Sequence, residues 1–199
     1  MYLFVKKVFD TVISFLALIL LIPLFICVSI AIAITSGLPV FYLQNRVGKN
    51  WKEFKVIKFR TMIQNADKID VNLSSLDDKR VTKIGKILRK FKLDELPQFI
   101  NVFIGDMSIV GPRPEVFKYA NYYRTEYSEI LSIKPGISDY ASLAFRNEEK
   151  LLNKKANKEN FYINEILPQK IKLYKKYLKE ISFLVDIKII FATVVSIFK

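Results

Sequence analysis

VISFLALILLIPLFICVSIAIAI, residues 12–34, decides what kind of chain this is. Its 23 residues carry no charge, enough to cross a bilayer as one helix. Lys6 and Lys7 precede it, a beginning shared with signal peptides, but the run exceeds a usual signal-peptide apolar stretch and predicts a retained segment. Residues 1–34 carry only Lys6, Lys7 and Asp10, so about +12 remains for the other 165 residues. Both flanks are positive, and the positive-inside rule selects no orientation. Two readings answer this. In one, Pro23 deletes a backbone donor at the midpoint and bends the helix sharply, so that the chain enters and leaves on the cytosolic side. Ser14, Ser29 and Thr35 would then satisfy freed backbone groups. In the other, the segment is a spanning anchor with a proline kink.

The composition narrows the chemistry. The 199 residues include 32 Lys and Arg, 19 Asp and Glu, one Cys and no His, for a net charge of +13 with 51% hydrophobic residues. So much apolar content excludes a disordered basic tail. One Cys excludes a disulfide scaffold, and the absence of His excludes a His base, a Ser–His–Asp triad and a His-ligated metal. Cys27 lies within the apolar run, a poor place for a nucleophile. A chain both apolar and basic binds a polyanion or sits on an anionic membrane.

Beyond residue 36 the pattern is mixed, without internal repeats. Strand-like pieces occur at Pro39–Tyr42 and Gln44–Gly48, and Phe54–Met62 reads as a strand or strand–turn. Residues 63–78 are polar and read as an exposed loop with a helical start. In residues 80–93, Ile84, Leu88 and Phe91 share one helical face and Lys79, Lys83, Lys86 and Lys90 another, which predicts a basic amphipathic helix suited to anionic lipid. Asp94 reads as an N-cap, Pro97 as a first-turn proline, and 98–104 as a short helix ending at Gly105. Gly111-Pro112-Arg113-Pro114 and Pro135-Gly136 are turns, and the charged stretch 148–160 reads as exposed. Residues 167–180 place Ile171, Tyr174 and Leu178 on one face with lysines elsewhere. Residues 181–198 read as an interfacial or core helix.

With His and Cys excluded, nucleophiles must be carboxylates, hydroxyls or lysines. Asp94-Glu95 is the notable pair: helix-terminal donors hold a carboxylate ionised and attract phosphate, Arg89 adds positive potential, and adjacent carboxylates suit a hard cation such as Mg²⁺. Pro112 and Pro114 stiffen the backbone around Arg113, lowering the entropic cost of presenting its guanidinium to phosphate. Taken singly, each motif is better read as an ordinary cap or turn.

Together they resemble a family. Gln44-Asn45-Arg46-Val47-Gly48, Lys58-Phe59-Arg60-Thr61-Met62, Leu93-Asp94-Glu95-Leu96-Pro97-Gln98, Gly105-Asp106-Met107-Ser108-Ile109-Val110-Gly111-Pro112-Arg113-Pro114 and Lys134-Pro135-Gly136-Ile137 follow the order and spacing of the monotopic bacterial phosphoglycosyl transferases, the bacterial sugar transferases. The resemblance implies transfer of a phosphosugar from a UDP-sugar to polyprenol (undecaprenyl) phosphate, with release of UMP, in two steps through a phosphosugar–aspartate. In it Asp94 matches the nucleophile and Glu95 the Mg²⁺ ligand. Arg89 and Arg113 match phosphate-binding positions, and Lys58 and Arg60 lie in a motif near the active site. Residues 1–36 match a re-entrant membrane helix with Pro23 at its bend, and 37–199 a cytosolic, membrane-associated catalytic unit.

The implied fold class is α+β, mostly helical, with interfacial amphipathic helices around a small active-site domain. The implied location is the cytosolic face of the bacterial inner membrane, at the start of exopolysaccharide or other glycoconjugate synthesis. Anionic lipid is the expected surface partner and nucleic acid is not, because the lysines alternate with apolar faces. The competing reading is a non-enzymatic, membrane-bound basic protein that recruits anionic lipid or nucleic acid. The oligomeric state stays open, a dimer being one option. One departure concerns the run Ile137 to Asn147, where Arg146 remains but other residues common in the family do not. That run is expected to contact the nucleotide sugar, with Tyr140 either stacking on it or buried in the core.

Overall fold

The computed structural model describes residues 2–66 and 78–197. The first element, α1 (Tyr2–Ser36), is a continuous 35-residue helix, about 52 Å long. The helix continues through Pro23. Leucines and alanines among the apolar residues favour the helix, and Ser and Thr hydroxyls bond back to its carbonyls, as Thr35 Oγ1 does to Ala31 O at 2.6 Å.

Both ends of α1 dock on the rest of the chain. Near its start, Lys6 forms an ion pair with Asp186, and Tyr2 donates to the same carboxylate at 2.5 Å. Asp10 accepts from Ser108 Oγ at 2.6 Å and from the Ile109 N–H at 3.2 Å. Near its end, Val28 and Ile32 pack with Phe59 and Leu88, and Arg60 donates to the carbonyls of Ser36 (2.7 Å) and Gly37 (2.5 Å). A guanidinium on the last carbonyls complements the negative end of the helix dipole. Between these ends α1 is largely uncovered, with Leu20 80% exposed and Ile19, Ile22, Ile26 and Ile30 exposed as well.

The strands are short. β1 (Phe41–Val47) and β2 (Glu53–Phe59) pair antiparallel, with Phe41 opposite Phe59 and Val47 opposite Glu53. The two strand-like pieces of the sequence thus form one strand, and the strand expected over 54–62 stops at Phe59. Helix α2 (Lys83–Lys90) is capped by Thr82, whose hydroxyl accepts from the Gly85 N–H at 3.0 Å. It ends earlier than the apolar periodicity suggested because Lys92 turns left-handed at φ 56°. Helix α3 (Gln98–Ile104) packs across α1, and its C-cap Gly105 takes φ 92°. β3 (Ser108–Val110) and β4 (Gly136–Ser138) form a parallel pair, between which α4 (Phe117–Tyr122) and α5 (Arg124–Ile130) intervene.

The remaining helices are α6 (Tyr140–Ala144), α7 (Glu148–Asn153), α8 (Lys158–Phe161), α9 (Leu167–Glu180) and α10 (Phe183–Ile197). The architecture is therefore mostly helical. Tyr119, Tyr127, Ile130, Leu152, Ile166 and Tyr174 centre one core, and Val56, Val102, Met107, Val110, Tyr177 and Ile189 another. α10 is half core, half surface: Ile189 is buried while Leu184, Phe191 and Val194 are exposed. The polar loop read from the sequence lies mostly in 67–77, outside the described residues.

Candidate active site

Close backbone contact positions the residues after β2. A Cβ on Gly85 would lie 2.1 Å from the Thr61 carbonyl oxygen, so α2 can approach Thr61 only because residue 85 has no side chain. The Thr82 N–H donates to the same oxygen at 3.0 Å. This contact brings Arg89, four residues beyond Gly85, to Thr61, where its Nε donates to Oγ1 at 3.0 Å. The left-handed Lys92 then reverses the chain into a tight 3₁₀ turn, Leu93–Glu95.

Asp94 is therefore not the N-cap of α3, which begins four residues later and has Pro97 at its cap. Asp94 is buried, and its Oδ1 has no hydrogen-bond partner. Burial, reinforced by neighbouring Glu95, raises the Asp94 carboxyl above its ordinary range against the pull of Lys58, Arg89 and Lys92. The cap-like environment expected to keep this acid ionised is absent.

Glu95 has the opposite environment. Arg113 grips both its oxygens, with Nη1 at 3.1 Å from Oε2, and Lys58 Nζ lies 3.8 Å from Oε1. Burial would raise Glu95, but Arg113 and Lys58 outweigh it and hold the carboxylate well below its usual range. Glu95 in turn raises Arg113.

Arg113 is presented by the turn after β3. The Gly111 N–H donates to Ser138 O at 3.0 Å and the Gly136 N–H to Pro112 O at 2.9 Å. A Cβ on Gly136 would sit 2.1 Å from the Gly111 nitrogen, so the turn closes only on glycine. The stiff turn foreseen around Arg113 is thus anchored to β4.

Burial pushes the Lys58 ammonium down to about 8; Glu95 opposes this, and Arg113 and Arg46 add to it. If phosphate binding uses protonated Lys58, kcat/KM falls as pH rises through about 8. Lys58→Arg should move that alkaline limb to higher pH, which a pH–rate profile of both proteins checks.

These groups open into one cavity of about 1220 Å³. Lys58, Arg60, Arg89, Asp94, Glu95, Arg113, Pro114 and Arg146, all singled out from the sequence, line it. Pro112 does not; it contributes through its carbonyl bond to Gly136. Pro23 lies in α1, away from the cavity wall. Arg60 has a second duty, since its Nη2 holds the end of α1 while Nε and Nη1 are buried without a partner. Tyr140 stands outside the cavity, edge-on to Tyr177 at 6.4 Å and donating to Glu180 at 3.2 Å.

Sequence reasoning missed Thr61, which orients Arg89, and a polar wall made by Arg46, Glu115, Glu148, Tyr162 and Lys170. The only available signal for Thr61 was its place directly after Lys58-Phe59-Arg60.

The model of the family described as "Bacterial sugar transferase" matches residues 1–199. The chain belongs to the bacterial sugar transferase family. Several named proteins are similar along most of this chain. One is the UDP-N-acetylgalactosamine-undecaprenyl-phosphate N-acetylgalactosaminephosphotransferase of Aeromonas hydrophila, 34% identical across 98% of this chain and 44% of its own length. The UDP-glucose:undecaprenyl-phosphate glucose-1-phosphate transferase of Escherichia coli is 38% identical across 95% of this chain and 39% of its own. The exopolysaccharide production protein ExoY of Sinorhizobium fredii is 38% identical across 72% of this chain and 70% of its own. The chain thus spans well under half the length of the first two relatives.

Proposed function

We propose that this bacterial sugar transferase moves a phosphosugar from a UDP-sugar to polyprenol phosphate, releasing UMP, through a covalent intermediate on Asp94. The observation that carries the reading is the buried Asp94 carboxylate, with an unpartnered Oδ1, in a cavity it shares with Lys58, Arg89 and Arg113.

Phosphoryl transfer asks mainly for positioning and charge neutralisation, which a His-free site can supply. An Asp94 oxygen attacks the phosphorus that bears the sugar. The bond from that phosphorus to the bridging oxygen breaks, and UMP departs with the electron pair. An oxygen of polyprenol phosphate then attacks the same phosphorus, the Asp94 carboxylate leaves, and a polyprenyl-diphosphate sugar results. Arg113 and Lys58 neutralise the diphosphate, Arg89 is held ready by Thr61, and burial leaves the Asp94 carboxylate poorly solvated and so more reactive as a nucleophile.

The donor set fits a Mg²⁺ ion. Among the described residues no group of three or more His, Cys, Asp or Glu could hold a metal, but Asp94 and Glu95 offer the one or two carboxylates with which Mg²⁺ ordinarily combines substrate phosphates and water. Glu95, with Asp94, would hold the ion, which when bound would neutralise charge on the diphosphate. Arg113 must then share or release Glu95.

The membrane reading rests on the two docked ends of α1. Lys6 and Asp10 meet the folded unit at one end and Ser36 meets it at the other, while the middle of the helix is bare and apolar. A helix crossing the bilayer would carry its two ends to opposite faces, so these contacts favour entry and return on the cytosolic side of the inner membrane. The exposed apolar side chains of α10, and Ile87 and Phe91 with the lysines of α2, suit the anionic lipid surface. In a Cys27→Ser background, Leu3→Cys and Leu38→Cys should both react with an impermeant maleimide from the cytosolic side; a site reacting only from outside contradicts re-entry.

The function is tested by incubating the protein with undecaprenyl phosphate, Mg²⁺ and a panel of UDP-sugars. UMP release that depends on the lipid and on at least one donor is expected. Binding of duplex DNA in a salt-dependent manner, with no UMP from any donor, would favour the non-enzymatic reading instead.

A further inference from the structure

One wall of the cavity carries charge that phosphate transfer does not use. Lys170 is only 5% exposed, yet it lines the cavity. It forms an ion pair with Glu148 of α7, donates to the Tyr162 hydroxyl at 3.4 Å, and lies over the Tyr162 ring at 4.9 Å from its centre. Tyr162 donates to Glu115 at 2.5 Å, and Glu115 also accepts from Arg46 at 3.1 Å and from the Val116 N–H at 2.8 Å. The chain of partners is Arg46, Glu115, Tyr162, Lys170, Glu148. Its inner members are well satisfied, but its outer end is not. Only one oxygen of Glu148 has a protein partner among the described residues, and the ammonium of Lys170 has a donor to spare.

The backbone has been adjusted to make this wall. The run from α8 into α9 is helical, with Pro168 inside it. A proline ring collides with the carbonyl four residues back, here that of Asn164, and the chain widens to a π turn over Tyr162–Ile166. Such turns occur often at functional sites because they re-aim side chains. Here the wide turn carries Tyr162, and Lys170, in the first turn of α9, lies on that helix's buried face with Leu167, Ile171 and Tyr174 and lines the cavity.

We propose that this wall is the subsite for the hexose ring of the donor, and that the Glu148–Lys170 pair reads its hydroxyl groups. This deepens the transferase reading and rests on it. A sugar hydroxyl donates and accepts at once, so neighbouring hydroxyls match an open carboxylate oxygen beside an ammonium. The ring of Phe145, which is only partly buried and also lines the cavity, offers an apolar face for the C–H side of a pyranose. Position agrees as well. Glu115 is two residues past Arg113, at most about 7.6 Å between Cα atoms, and in the donor the sugar is bonded directly to the phosphorus that Asp94 attacks. The nucleoside hangs from the far phosphate. Arg146, on the same wall two residues before Glu148, is placed to meet either the sugar or that phosphate.

The shared chemistry, a hydroxylated ring, could also be the ribose, and the test separates the two. Donor kcat/KM is measured for UDP-sugars that differ at one hydroxyl or at the N-acetyl group, in the wild type, Glu148→Gln and Lys170→Met, together with inhibition by UMP. The expected result is a change of about tenfold or more in the ratio between donors, with the UMP inhibition constant unchanged within about twofold. Equal losses for every donor would overturn the proposal and make the wall a structural brace. A shifted UMP constant with unchanged donor ratios would overturn it in favour of the nucleoside. If Lys170→Met does not fold, Glu148→Gln, more exposed at the wall's outer end, decides alone. If the wild type releases no UMP from any donor, the transferase reading fails first and this proposal with it.

Discussion

Asp94→Asn is expected to lower UMP release by about 10⁴-fold or more while leaving the fold intact. The amide has the shape of the carboxylate but no anionic oxygen to attack phosphorus. Its effect on stability should run the other way. The folded Asp94 carboxyl is raised by burial, so the carboxyl favours the native state at low pH, where it is neutral, and that advantage is lost as pH rises through the folded value. Near neutral pH the ionised form is therefore a cost, and a neutral Asn removes it. Thermal melts at pH 7 should show Asp94→Asn melting at or above the wild-type temperature. A variant that loses activity because it unfolds would behave in the opposite way.

Arg113→Met should fail on both counts. It removes a phosphate-binding guanidinium, and an arginine that stabilises a transferring phosphoryl group is worth about 10³-fold or more in rate. It also strips Glu95 of its two-pronged partner, leaving a mostly buried carboxylate with only Lys58, 3.8 Å away. Losing one partner of a fully buried ion pair costs about 3–5 kcal/mol; with the Arg113 side chain about a third exposed, about 1–2 kcal/mol is expected. Adding Glu95→Gln to Arg113→Met should recover most of the lost stability and none of the activity. Arg113→Lys should restore the charge but not the fork, and so recover activity only in part. Urea unfolding and UMP release measured on the wild type and these three variants check this.

The contrast between Asp94 and Glu95 states how the site works. Two adjacent carboxylates are driven apart by their surroundings, one raised by burial and one lowered by Arg113 and Lys58. The lowered acid is the permanently charged partner of the cations. The raised acid is the one whose anion is poorly solvated, which suits the nucleophile proposed for this position.

Much of this was legible in the chain itself, where the information is local. The apolar run of residues 12–34, the short helix 98–104 and the glycine-bounded turns all depend on neighbours a few residues apart, and they form as the pattern suggests. The membership of Lys58, Arg89, Asp94, Glu95, Arg113 and Arg146 in one cavity followed from motifs whose order the family shares. Other features depend on partners far away in sequence and left no periodic trace. Lys6 and Asp10 look like flanking charges of a membrane segment, but they are spent on Asp186, Ser108 and Ile109, about 100 to 180 residues on. Lys170 looks like one more lysine on a basic helix, but it lies on the buried face with Ile171 and Tyr174, where Glu148 is its ion-pair partner. Asp94 looked like a helix cap because Asp before a short helix usually is one; the left-handed Lys92 puts it in a separate turn instead. Arg60 shares a motif with Lys58, yet part of its guanidinium holds the end of α1, so the same five-residue motif serves both the cavity and the docking of the long apolar helix.

The central claim is that Asp94 carries the phosphosugar, and intact-protein mass spectrometry tests it most directly. The protein is incubated with Mg²⁺ and an accepted UDP-sugar in the absence of lipid. The account predicts a mass increase of one sugar phosphate, mapped to the peptide that contains Asp94, absent from Asp94→Asn and discharged when polyprenol phosphate is added. An adduct that survives Asp94→Asn, or UMP release that requires both substrates together with no adduct at any time, would contradict it.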